Sequence, residues 1–138
     1  HHNGQIIAVE MAPRMMRDLS KLSENRPGLI PVLGDARNPL SIAPYLRGKV
    51  DWIHQDISIA DQTKSFLHIS ETFLKVGGIG LLSLKAASER WIEGGDDSRF
   101  EQAKELIESD EKISLLENID ISHFESQHRV FVIRKESS

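Results

Sequence analysis

The chain has no cysteine. That absence excludes disulfides, zinc–thiolate centres and cysteine nucleophiles in one step. It also lacks a basic surplus: 17 Lys and Arg stand against 21 Asp and Glu, a net charge of −4. A freestanding nucleic-acid binder normally carries such a surplus. No apolar run reaches the ~18–20 residues that span a bilayer, so no membrane partner is expected. No basic-then-apolar leader is visible at the start, and a reducing, cytoplasmic setting is the expectation. Neither G-x-G-x-x-G nor a P-loop occurs, so the phosphate cradle of a dinucleotide enzyme is missing and NAD is not expected. No Gly-x-Ser-x-Gly elbow is present. His54, His68 and His123 share no ligand spacing with an acid or with each other, and no metal site is expected.

What remains is ordinary globular composition: 138 residues, 39% hydrophobic and 28% charged. This is the size of one domain, read here as 1–138, without repeats or low-complexity segments. Strand and helix patterns alternate. Gln5 to Val9, Leu29 to Leu33, Val50 to Gln55 and Gly80 to Lys85 read as strands. A helix opens at Pro13 with Met15, Leu19 and Leu22 at helical spacing. Pro39 and Pro44 restrict 36–49 to short helical pieces. A second long helix starts near Asp61, with Phe66, Ile69, Phe73 and Val76 on one face, and Gly77-Gly78 ends it. Residues 86–99 read as a polar, flexible loop, and 98–109 as a further helix. Lys112 to Ile121 and Arg129 to Arg134 are two final strands.

The early strands are almost continuously apolar, which predicts burial on both faces, with Trp52 in the core. Repeated βα units closing in ββ specify a doubly wound α/β sheet, mostly parallel with a C-terminal antiparallel strand. Ligands in such sheets bind at the carboxyl ends of the strands. Those ends carry Glu10, Asp35, Asp56 and Lys85, and His128 precedes the last strand. Glu10 has the position of an acid that accepts both hydroxyls of a nucleotide ribose, or of a helix cap. Asp35 suits an exocyclic amine, or a Gly-Asp turn. Asp56 and Lys85 end neighbouring strands, as a proton-transfer pair or a surface ion pair.

At these positions the chain resembles the fibrillarin family. Ile7-Ala8-Val9-Glu10-Met11-Ala12-Pro13-Arg14 is similar to the family's Tyr-Ala-Val-Glu-Phe-Ser-Pro-Arg. Ile30-Pro31-Val32-Leu33-Gly34-Asp35-Ala36 resembles Ile-Pro-Ile-Leu-Gly-Asp-Ala. Val50-Asp51-Trp52-Ile53-His54-Gln55-Asp56, with Gln62 and Lys64 after it, occupies the place of Val-Asp-Val-Ile-Phe-Glu-Asp and its helix. Leu74-Lys75-Val76-Gly77-Gly78, Leu84-Lys85 and the stretch Phe124 to Lys135 extend the likeness through the chain.

The resemblance implies a Rossmann-like class I methyltransferase that uses S-adenosyl-L-methionine to methylate ribose 2′-hydroxyls of rRNA and tRNA. It implies box C/D guide RNA, a Nop-family scaffold and a kink-turn-binding ribosomal-type protein as partners, in an archaeal cytoplasm or a eukaryotic nucleolus. Shared RNA affinity of this kind accounts for the acidic balance. The implied catalytic residues are Asp56, Lys85 and His128, the family's first lysine falling upstream of residue 1. The implied cofactor residues are Glu10, Met11, Asp35, Ala36, Asp56, Ile57, Ser58 and Ile59. Met11 replaces a Phe, Gln55 a Glu and Ile59 a Gln, which bears on cofactor affinity. The resemblance also implies that the first strand and an N-terminal subdomain lie outside this chain, that the first strand belongs between the strands at Gln5 and Val50, and that the chain alone is inactive. Two other readings remain: a free-standing S-adenosylmethionine-dependent O-methyltransferase, and a non-catalytic docking subunit.

Overall fold

A computed structural model describes residues 6–10, 17, 20–21, 24–25, 29–33, 37–56, 61–89, 93–121 and 127–138. They fall into two compact units, His1–Gly48 and Lys49–Ser138.

In the first unit, strands β1 (Ile6–Glu10) and β2 (Leu29–Leu33) pair in parallel, with Ile6 opposite Leu29 and Glu10 opposite Leu33. A parallel pair needs a crossover, and Arg17, Ser20 and Lys21 between the strands are helical. Pro13, Met15, Leu19 and Leu22 lie outside the described residues. The prolines act as expected further on. Pro39–Ser41 and Ala43–Tyr45 are single 3-10 turns, the first opened by Asn38, whose Oδ1 accepts the Leu40 N–H at 3.1 Å.

The second unit runs β3 (Val50–Gln55), α1 (Gln62–Phe73), β4 (Leu74–Lys85), α2 (Asp96–Glu108), β5 (Ile113–Asp120) and β6 (His128–Lys135). The sheet order is β3-β4-β6-β5, with β3 and β4 parallel and the other two pairs antiparallel. Alternation along β4 and β6 puts Leu82, Leu84, Phe131 and Ile133 on one face. There they meet Phe66 and Leu67 of α1 and Phe100, Ala103 and Ile107 of α2, all buried in one cluster. Burial of a side chain such as Phe66 or Phe131 stabilises by roughly 1.5–3 kcal/mol. Gly80 allows α1 this close: a Cβ there would stand 2.9 Å from Phe66 Cζ and 2.9 Å from Ile133 Cγ1.

Four expectations are corrected. Trp52 is not core: it is 52% exposed. It pairs with Ile79, one step from the Ile53–Gly80 pair that faces α1, so its side chain lies on the opposite face of the sheet. Asp51 and His54 are exposed as well, so β3 is not buried on both faces. The helix does not run to Gly77-Gly78. It stops at Phe73, and β4 starts at Leu74 and takes in both glycines, Gly77 at φ 86°. Val76 is therefore an exposed strand residue. Finally, 86–99 is not one loop, because Ala86–Ser88 is a 3-10 turn and α2 already starts at Asp96. Among the described residues, no strand pairs with the second edge of β1 or of β3.

Candidate active site

The carboxyl ends of β3 and β4 and the amino end of β6 bring the polar residues together. Lys85, the last residue of β4, lies directly across from His128, the first of β6. The Ala86 N–H donates to Gln127 O at 3.1 Å, so the ladder bonds bracket this pair rather than joining it. In such a non-hydrogen-bonded antiparallel pair the Cα atoms are only about 4.5 Å apart and both side chains stand on one face. Gln127, at φ 61°, turns the chain into β6 and delivers His128 to this place. Lys85 is exposed and His128 half-buried.

Asp56 follows Gln55, which is opposite Leu82 in the parallel β3–β4 pair. Asp56 is exposed, and among the described residues no ion pair joins it to Lys85. Neither explanation of these two residues, proton-transfer pair or surface ion pair, has a direct bond between them among the described residues. One face, behind the same strand ends, also carries His54, whose Nε2 lies 3.0 Å from Ser83 Oγ.

Beneath the exposed residues is a buried polar network. Gln55 Nε2 donates to Gln62 O at 3.0 Å, and Gln62 Nε2 donates to Ser83 O at 3.1 Å. Glu89 Oε1 accepts from the Thr63 backbone N–H at 2.8 Å and from Thr63 Oγ1 at 2.5 Å. Gln55, Gln62, Thr63 and Glu89 are all buried. Sequence reasoning noticed Gln62 as a point of likeness and Gln55 as a departure, and gave Glu89 no role, since one acid in a polar stretch has no periodicity to mark it.

At the other end of the sheet lie Lys135 and Glu71. Lys135, 2% exposed, donates through Nζ to Glu71 O at 2.7 Å. Desolvation, then the positive charges of Lys49 and Lys112, hold its pKa below the usual lysine value, against an opposing pull from Glu71. Glu71 is raised, first by a side-chain hydrogen bond with Asp110, then by desolvation and the Asp110 charge, while Lys112 and Lys135 oppose this.

Of the remaining expected site residues, Glu10 is placed by its backbone at the carboxyl end of β1. Met11, Asp35, Ala36, Ile57, Ser58 and Ile59 lie outside the described residues, as do Trp91 and His123. Among the described residues, no group of three or more His, Asp or Glu could hold a metal ion, and no helix is long and apolar enough to cross a membrane.

The fibrillarin family profile matches residues 1–137. The chain belongs to the fibrillarin family. A fibrillarin-like rRNA/tRNA 2′-O-methyltransferase of Methanococcus aeolicus is 35% identical over 130 residues, covering 94% of this chain and 55% of that protein. The solved Methanococcus jannaschii fibrillarin, a pre-rRNA processing protein, superposes with a TM-score of 0.87 at 33% identity over 99% of this chain and 58% of its own. Aeropyrum pernix fibrillarin, solved with natively bound S-adenosyl-L-methionine, gives a TM-score of 0.76 at 27% identity, over 94% of this chain and 55% of that one. A fibrillarin–Nop5p complex gives 0.88 at 25% identity, over 97% of this chain and 62% of that one. The fold of this chain is thus the Rossmann-like α/β methyltransferase fold. The chain spans about half the length of the curated relatives it matches.

Proposed function

We propose that this fibrillarin chain carries catalytic residues for S-adenosyl-L-methionine-dependent methylation of RNA ribose 2′-hydroxyls, within a guide-RNA-directed box C/D particle. The observation that carries the reading is the Lys85–His128 cross-strand pair, beside the end of β3 where Asp56 emerges. Support comes from the relatives' names, from the cofactor bound by the Aeropyrum pernix protein and from the Nop5p complex of another.

The chemistry of the donor set suits the cofactor. Glu10 ends β1, and a carboxylate there accepts both hydroxyls of an adenosine ribose. The family resemblance, rather than a described geometry, assigns Met11, Asp35 and Ala36 to the adenine and Asp56, Ile57, Ser58 and Ile59 to the methionine end. When bound, the cofactor supplies an electrophilic methyl group on a sulfonium centre.

The chain's own residues then act on the RNA. A ribose 2′-oxygen is a weak nucleophile until its proton is shared with a base. Lys85 takes up or shares that proton, Asp56 orients Lys85, and His128 positions the ribose or relays the proton. General-base help of this kind contributes typically ~10²–10⁴-fold, and alignment of the reacting atoms contributes as much or more. With a net charge of −4 the chain attracts phosphates weakly, so guide RNA, a Nop-family scaffold and a kink-turn-binding protein are expected to supply affinity and target choice.

The test is single-turnover methylation of a target RNA by the assembled particle, with and without guide RNA, alongside calorimetric titration of the cofactor. Methylation that needs the guide supports the reading. Robust methylation without guide or scaffold would replace it by a free-standing O-methyltransferase. Docking without cofactor binding would replace it by a non-catalytic subunit.

A further inference from the structure

Glu89 lies four residues beyond Lys85 and belongs to none of the motifs that locate the site. It is nevertheless fully buried, which for a carboxylate demands good partners. The amino end of a helix offers them, since its first N–H groups have no partner within the helix and carry positive partial charge. In α1 the usual local solution is not used: Asp61, at φ 60°, makes no side-chain cap bond. Glu89 supplies the acceptor from a distant part of the chain, taking both the backbone N–H and the hydroxyl of Thr63.

The route from Lys85 to Glu89 is short and stiff. The Glu89 N–H donates to Ala86 O at 3.0 Å, closing the 3-10 turn Ala86–Ser88. Arg99 Nη1 donates to the same carbonyl at 3.3 Å. On the far side of Lys85, Ser83 O is held by Gln62, the residue before Thr63. Ser83, Lys85, Glu89, Thr63 and Gln62 therefore form a closed ring of chain and hydrogen bonds. Gln55, which precedes Asp56, is tied to that ring through Gln62 O.

We propose that Glu89 is a positioning residue for Lys85: its buried carboxylate, by capping α1, locks the turn after Lys85 to the helix that follows Asp56 and so fixes these two side chains relative to each other. The proposal rests on the methyltransferase reading above. Glu89 is not itself a catalytic residue and acts through the placement of Lys85 relative to Asp56.

The experiment compares Glu89→Ala, Glu89→Gln, Lys85→Ala and the Glu89→Ala/Lys85→Ala double variant in the assembled particle. Turnover at saturating cofactor, cofactor affinity and thermal midpoint are measured for each. Misplacement by about 1 Å costs up to ~100-fold, so Glu89→Ala is expected to lower turnover by about 10–100-fold with cofactor affinity unchanged. Glu89→Gln keeps an acceptor oxygen for Thr63 and restores most of the rate. In the Lys85→Ala background, Glu89→Ala should have almost no further effect, within about two-fold, because residues acting as a unit are non-additive. Full additivity, or wild-type turnover in folded Glu89→Ala, overturns the proposal.

A second readout does not depend on activity. In the 138-residue chain, the NMR signals of the Lys85 Cε–H and His128 Cε1–H groups should shift in Glu89→Ala and return towards wild type in Glu89→Gln. Unshifted signals overturn the proposal. If Glu89→Ala does not fold, Thr63→Val, which keeps the backbone bond and removes the hydroxyl, is read by the same criteria. If the wild-type particle transfers no methyl group while the signals shift as expected, the functional reading fails and the positioning device stands.

Discussion

At its amino end α1 is held by one buried carboxylate, that of Glu89. At its carboxyl end two ammonium groups donate to the last carbonyls, Lys49 to Thr72 O at 2.6 Å and Lys135 to Glu71 O at 2.7 Å. Both arrangements oppose the helix dipole with the right sign of charge. They differ in what else is buried. At the amino end, the residues proposed to do chemistry, Asp56 and Lys85, are exposed, and the groups below them are amides, a hydroxyl and one carboxylate with close partners. At the carboxyl end ionisation is displaced: that of Lys135 by burial first and then by the charges of Lys49 and Lys112, that of Glu71 by its hydrogen bond with Asp110 first and then by burial and the Asp110 charge. The displaced pKa values of Lys135 and Glu71 belong to the end where charged groups close a helix terminus.

The widest test of this comparison removes what both ends share. Phe66 sits mid-helix in the core between them. Phe66→Ala is expected to cost about 3–5 kcal/mol, read from the denaturant midpoint at constant slope. It should weaken both ends together. Unequal loss of amide-exchange protection at the two ends would show that they are held independently.

Next in size is Lys85→Ala, which should lower single-turnover methylation by at least ~100-fold, the lower end of general-base contributions. Cofactor affinity and folding should be little affected, because Lys85 is an exposed strand-end residue. Lys85→Arg should not restore the rate, since Arg stays protonated. Retained activity in Lys85→Arg would exclude Lys85 as the proton acceptor.

The carboxyl end is sharpened by pH. Glu71 has a folded pKa raised above its ordinary 4.5, so the folded state holds its proton more tightly than the unfolded state. Its contribution is fully present below 4.5 and is lost as pH rises through the raised value. Glu71→Gln keeps the hydrogen bond to Asp110 without the second charge. The variant should gain stability relative to wild type as pH rises through that range, measured as thermal midpoints between acid and neutral pH. Lys135 has the opposite sign: its lowered pKa penalises the ammonium at neutral pH, and that penalty is relieved as pH rises through the lowered value.

The smallest effect should come from Lys75, whose Nζ lies 3.0 Å from Asp51 Oδ1, with side chains 52% and 85% exposed. Lys75→Ala is expected to cost less than about 1 kcal/mol, and less still at high salt. A larger loss, measured by chemical denaturation, would mean that exposed pairs matter in this sheet as much as the buried caps do.

Much of the sheet was legible in the residues themselves. The runs Leu29–Leu33 and Val50–Gln55 are strands with the expected ends, because apolar stretches bounded by turn residues have one local solution. Phe100, Ala103 and Ile107 face the core as their helical spacing requires. The strand ends also brought forward Asp56, Lys85 and His128 as a group. Where local patterns compete, the sequence misled. Gly77-Gly78 reads as a helix stop, but Leu74–Val76 had already become extended, with Leu74 buried at the start of β4. Trp52 has core chemistry, yet which face of β3 a helix covers is set by the packing of α1 against Gly80 and its neighbours.

The sequence by itself determined the alternation of strands and helices, the family, and the kinds of residue that end each strand, because periodicity, turn chemistry and motif spacing are local properties of the chain. Tertiary structure alone decided three further things. It set Lys85 across from His128 rather than one step along the ladder, which is a matter of antiparallel register. It left Asp56 and Lys85 without an ion pair among the described residues. And it buried Glu89 against Thr63, 26 residues away in sequence, because a helix end needs its free N–H groups satisfied and takes whichever acceptor the fold brings to it.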